Sequence, residues 1–106
     1  MEHGLELIKK GVIWRIGNGE KINIWRDNWI RRDDALKITG RKKWTRLKKV
    51  KDLFGQGPNG WNDELIHSLF HQNDAEEILK IKLASHNLED TIVEYIGNCL
   101  IKLIKL

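Results

Sequence analysis

The feature that most narrows the folds open to this chain is the stretch Trp14-Arg15-Ile16-Gly17-Asn18-Gly19-Glu20-Lys21-Ile22-Asn23-Ile24-Trp25-Arg26-Asp27-Asn28-Trp29. Apolar residues alternate on both sides of a glycine-flanked asparagine, and alternation of period two belongs to half-buried strands, so the segment predicts a β-hairpin. With Gly17-Asn18-Gly19 as a three-residue loop, Ile16 faces Glu20, Trp14 faces Ile22 and Val12 faces Ile24, and Gly19 takes the left-handed position. A two-residue Asn18-Gly19 loop would set Trp14 against Asn23 and Ile16 against Lys21, scattering the apolar set over both faces. The first register is expected. Trp14, Trp25 and Trp29 could serve as a base-stacking platform, but aromatics at strand spacing beside β-branched residues read as core. The glycine loop likewise reads as a turn rather than a phosphate cradle, because a strand and not a helix follows it.

Around this segment the chain reads as α+β. Residues 2–10 carry Leu5, Leu7 and Ile8 ahead of Gly11, which predicts a short N-terminal helix. Residues 35–51 show no clean periodicity and read as a loop. Gly55-Gln56-Gly57-Pro58-Asn59-Gly60 is the strongest breaker. One small domain or fragment is expected, with helix plus hairpin over 1–34, a basic loop and linker over 35–60, and a helical half over 61–106. Asn62 predicts the cap of a helix ending near Phe70, with Leu65, Ile66, Leu69 and Phe70 on one face. Asn73 predicts the next cap, with Glu76 three residues on. His71 and Gln72 between them make a connection short enough for a helical hairpin. Leu100, Ile101, Leu103, Ile104 and Leu106, with Lys102 and Lys105 opposite, fit a further amphipathic helix.

Charge is unevenly placed. Residues 1–51 hold 15 Lys/Arg against 6 Asp/Glu, whereas residues 52–106 hold 4 against 9. The run Arg41-Lys42-Lys43-Trp44-Thr45-Arg46-Leu47-Lys48-Lys49-Val50-Lys51 holds seven cations and no acid. Arg41, Lys42, Lys43, Arg46, Lys48, Lys49 and Lys51 could neutralise phosphates of RNA or DNA while Trp44 stacks on an unpaired base. The same run also reads as a solvated, disordered charge segment or a nuclear-import signal. His67 and His71, four apart, read as a hydrated helix face, since Ser68 stands where a metalloprotease helix has its glutamate. No catalytic set of acids, no Ser/His/Asp group and no Cys/His pair is recognisable, so neither catalysis nor a cofactor or metal is expected.

Length and composition bound the rest. Of 106 residues 41% are hydrophobic, while the 32% that are charged exceed the roughly 25% of ordinary domains, so a thin core with exposed apolar patches is expected. No apolar run approaches the ~20 residues that span a bilayer. Met1-Glu2-His3-Gly4 lacks the layout of a secretory signal, and the lone Cys99 allows no intrachain disulfide, so an intracellular location, nucleus or cytoplasm, is expected. Oligomeric state is left open.

The residues Trp14, Ile16 to Gly19, Ile22, Ile24, Trp25, Asp27 and Trp29 resemble a segment of plant LINE-type, non-LTR retrotransposon polyproteins, between the reverse transcriptase core and the zinc-binding reverse-transcriptase domain. The resemblance continues through Val50-Lys51-Asp52-Leu53-Phe54, then Trp61-Asn62 with Leu65, Ile66 and Phe70, then Asp74-Ala75 with Ile78, Leu79, Ile81 and Leu83. It covers residues 4–93. The family's next step is Asp-x-x-x-Trp; here Asp90-Thr91-Ile92-Val93 is followed by Glu94 in place of the tryptophan, the match fails beyond Glu94, and the following Cys/His knuckle has no counterpart, so zinc binding is not carried over. The resemblance implies a non-catalytic, truncated fragment of a reverse transcriptase polyprotein with residual, non-specific nucleic-acid binding. The alternative is a stand-alone interaction module that docks through its helical half or its C-terminal tail. Genomic sequence tests the truncation: a frame continuing intact into a Cys/His cluster would overturn it.

Overall fold

The buried Asp90 decides what the glycine loop does. In the computed structural model, which describes residues 11–32, 35–83, 87–96 and 99–103, its Oδ1 accepts from Gly17 N at 2.6 Å and Gly19 N at 2.8 Å. Its Oδ2 accepts from Lys21 N at 2.8 Å. Those N–H groups point inward at a carboxylate, so the chain wraps around Asp90 and does not fold back on itself. Gly19 takes a φ of +74° as predicted, but the turn it serves closes no hairpin.

The first strand, β1 (Val12–Arg15), therefore pairs with a strand from the far end of the chain, β2 (Thr91–Ile96). They run antiparallel with Val12 opposite Glu94 and Arg15 opposite Thr91. This corrects the expected Trp14–Ile22 and Val12–Ile24 pairing. Ile22 to Ile24 lies against the end of the basic segment instead: Ile24 N donates to Lys48 O at 2.7 Å and Val50 N to Ile22 O at 3.0 Å. The pairing stays a single bridge, Asn23 to Lys49, because Asn23 Oδ1 accepts from Trp25 N and Arg26 N, while Asp27 Oδ2 accepts from Asn23 N. Such side-chain acceptors offer the backbone an alternative to a ladder.

A third strand, β3 (Cys99–Leu103), pairs antiparallel with β2, giving the order β1-β2-β3. The amphipathic helix expected over the tail is thus a strand where it is described, and residues 104–106 lie outside the described ones, as does the helix expected over 2–10. The physical reason is in β2. Thr91, Ile92 and Val93 favour extended backbone, and only Gly97 and Asn98 separate β2 from β3 in sequence.

The helical half forms as α1 (Asp63–Leu69) and α2 (Gln72–Lys80). Asn62 caps α1 as predicted, its side chain accepting from Leu65 N at 3.1 Å. Helix α2 begins before the predicted cap, so His71 is the flanking residue and Asn73 lies inside the first turn. This earlier start brings Asp74 into that turn, where its buried carboxylate accepts from Arg32 Nη2 at 2.7 Å, Thr39 N at 3.0 Å and Thr39 Oγ1 at 2.9 Å.

One core joins these parts. Ile16, Ile22, Ile24, Trp29, Val50, Leu53, Trp61, Ile66, Phe70, Ala75 and Ile78 pack in a single buried cluster, so the Gly55–Gly60 stretch bends the chain without parting two cores. Trp61 lies at its centre, 6.0 Å from Trp29 and 5.7 Å edge-on from Phe54, and its Nε1 donates to Ile81 O at 2.7 Å. A smaller cluster of Ile13, Val93 and Tyr95 covers the sheet, with Leu36 against it.

Asp90→Ala strands two buried N–H donors, Gly17 and Gly19, and the part-buried one of Lys21, and is expected to cost about 3 kcal/mol, against about 1–2 for Asp90→Asn, which keeps one acceptor. Urea unfolding checks this; equal midpoints for wild type and Asp90→Ala would contradict it.

Candidate nucleic-acid interface

Each end of the basic segment is tied to the core by backbone. At its start Arg41 bridges to Phe70, and Lys42 N donates to Leu69 O at 2.8 Å. Towards its end Leu47 O accepts from Trp25 Nε1 at 2.8 Å, Lys48 O accepts from Ile24 N, and Lys51 N donates to Gly19 O at 3.1 Å. Val50 and Leu53, both fully buried, anchor a 3-10 turn (Val50–Leu53) that closes the segment. Between these ties residues 43–46 form an arch without regular secondary structure, on which Lys43, Trp44 and Arg46 are exposed. The segment is solvated, with every one of its cations exposed, but its course is set.

The arch gathers some of the predicted residues and separates others. Arg41, Trp44, Arg46 and Lys48 line one groove of about 520 Å³ together with Trp25. Lys42 is not among the groove's lining residues and donates through Nζ to His67 O at 3.1 Å. Lys43 is exposed on the arch, while Lys49 precedes the 3-10 turn and Lys51 lies within it, beside the glycine loop.

Trp25 reads from the sequence as core in preference to a base-stacking role. It is half-buried: its ring lies 5.2 Å from Phe70, and the Arg41 guanidinium sits 4.6 Å from its centroid. A cation held over an indole face is favourable by about 0.5–1 kcal/mol at a partly exposed site. The signal was present. If Ile22 and Ile24 face inward, Asn23 and Trp25 face outward, towards the groove. Trp44 is 73% exposed and, with Leu88, is one of two large apolar side chains left in water among the described residues.

Electrostatics favour an anionic ligand here. Among the described residues the side-chain ion pairs belong to other cations, Lys21 with Glu89 at 3.0 Å, Arg32 with Asp74 at 2.7 Å and Lys80 with Glu77 at 3.3 Å. Arg31, half-buried near Tyr95 and Arg15, has its pKa lowered by desolvation, which Tyr95 opposes and Arg15 reinforces, so it is not part of this exposed field. His67 and His71 are exposed, and among the described residues no three His, Cys, Asp or Glu side chains group as metal ligands would. The glycine loop does cradle an anion, but that anion is the chain's own Asp90. No helix among the described residues is long and apolar enough to cross a membrane.

Comparison of the chain with protein-family models, curated proteins and solved structures gave no match.

The two groove tryptophans differ in what they hold. Trp44→Ala is expected to leave stability within about 0.5 kcal/mol of wild type. Trp25→Ala, which removes the Leu47 hydrogen bond and the Phe70 and Arg41 contacts, is expected to cost about 2 kcal/mol. Chemical denaturation distinguishes them; equal losses would show that the arch is packed differently.

Proposed function

We propose that this chain is a non-catalytic unit that binds the phosphate backbone of RNA or DNA through residues 41–51. The observation that carries this reading is an acid-free segment of seven exposed cations whose backbone is tied to the core at both ends. A pre-set segment loses less conformational entropy on binding than a free one, so more of its electrostatic attraction appears as affinity.

We further propose that the chain is related to the connecting segment of plant LINE-type retrotransposon polyproteins. Support comes from how the resembling residues are used. The tryptophan and glycine segment, the Val50–Leu53 turn and the two helices all contribute to one buried cluster. Gly17, Gly19 and Asp90, from opposite ends of the resemblance, meet in one hydrogen-bonded clasp. Pieces that are weakly specific alone thus have a joint physical reason for occurring in one chain. On this reading the protein acts inside the cell, in nucleus or cytoplasm, wherever the nucleic acid is met.

Binding measured against salt tests the first proposal. Replacing Lys42, Lys43, Lys48 and Lys49 by Ala is expected to reduce the slope of log K on log salt by about 3, from ~0.7–0.9 per lost phosphate contact. Unchanged affinity and slope in that variant would refute the site.

A further inference from the structure

We propose, resting on the phosphate-binding reading above, that the groove between Trp25 and Trp44 receives an unpaired nucleobase, so that the segment takes single-stranded nucleic acid in preference to duplex. Cations alone do not distinguish the two forms, since both present phosphates. The distinction comes from the uncharged atoms among them.

Trp44 carries the first part. Trp29 and Trp61 are fully buried and Trp14 and Trp25 half-buried, whereas Trp44, within residues 43–46, is 73% exposed. Covering an indole is favourable by roughly 25 cal/mol per Å² removed from water. A duplex covers little of it, because its base faces are already stacked. A single strand can turn a base onto the ring without breaking a pair.

Arg41 carries the second part. Its guanidinium is held 4.6 Å from the Trp25 centroid, and Trp25 is itself fixed by the hydrogen bond from its Nε1 to Leu47 O. A planar guanidinium held in this way is a second stacking surface for a base, with its N–H groups at the edge directed to phosphate or carbonyl oxygens. Arg46 and Lys48 line the same groove, so phosphates on either side of the inserted base meet cations. No carboxylate lines the groove to repel them, and its volume of about 520 Å³ lies within the ~300–1,000 Å³ of small-molecule sites.

Fluorescence anisotropy with labelled oligo-dT and oligo-U of about 12 nucleotides, against a hairpin duplex of equal phosphate number, tests this at several salt concentrations. Three proteins are compared with wild type: Trp44→Ala, Trp44→Phe, and Lys42→Ala/Lys43→Ala/Lys49→Ala, whose lysines lie outside the groove. Trp44→Ala is expected to weaken single-strand binding about tenfold while leaving duplex binding and both salt slopes unchanged. Trp44→Phe is expected to keep most of the affinity. The triple variant is expected to weaken both forms and lower both slopes. Salt-dependent binding in which Trp44→Ala has no effect, or weakens single strand and duplex equally, overturns the base subsite and leaves the phosphate reading standing. If neither form binds at low salt, both fall. The exposure of Trp44 keeps the variants folded, and their urea midpoints confirm it.

Discussion

A single carboxylate, Asp90, holds the two ends of the described chain together. It is 3% exposed, and a carboxyl group that far from water is costly unless it is hydrogen-bonded. Gly17, Gly19 and Lys21 supply three N–H donors across some seventy residues of sequence. The clasp sits one residue before β2, so it also sets the register in which Arg15 meets Thr91. Glycine is needed for the approach. A Cβ on Gly17 would strike the backbone of Leu88 and Glu89, and one on Gly19 would come within 2.7 Å of Lys51 N.

From the clasp the constraint passes to the basic segment. Gly19 O accepts from Lys51 N, which fixes the segment's end beside the glycine loop. The other buried carboxylate, Asp74, does the equivalent work at the start by holding Arg32 and Thr39 to helix α2, two residues before Arg41. Among the described residues these are the two buried charged groups, and they bracket the cationic stretch. The fold thus uses carboxylates internally to place a segment whose own charges all point outward. A buried carboxylate is costly unless fully partnered, and here that partnering is what orders the interface.

Which residues face inward was legible in the sequence; which strands meet was not. Alternation through Ile16, Ile22 and Ile24 correctly marked them as core, because a period of two specifies a face. It does not specify a partner. The local hairpin lost to β2 because the N–H groups that would have closed it are committed to Asp90, a residue no local pattern connects to Gly17. Asn62 was readable as a cap because its bond to Leu65 spans three residues. The tail was ambiguous for the opposite reason: short apolar runs fit helix and strand alike, and pairing with β2 decided it. Of the site, the cations and Trp44 were visible as composition, but their division into a groove and two flanks depends on ties to Ile24, Phe70 and Leu69 that only the folded chain supplies.

That division bears on selectivity. Seven cations on a free chain would attract any polyanion and discriminate little, each contact carrying its own ordering entropy. Pinned at both ends, the same residues present Arg41, Arg46 and Lys48 around two tryptophans at a fixed place, while Lys42 is drawn off to the end of α1. The flanking lysines contribute long-range attraction, which salt screens over about 8–10 Å. The groove contributes contacts that act only at van der Waals distance and only on a ligand with a free aromatic face. Attraction and discrimination therefore fall to different residues of one segment, and the core that fixes its backbone is what keeps them apart.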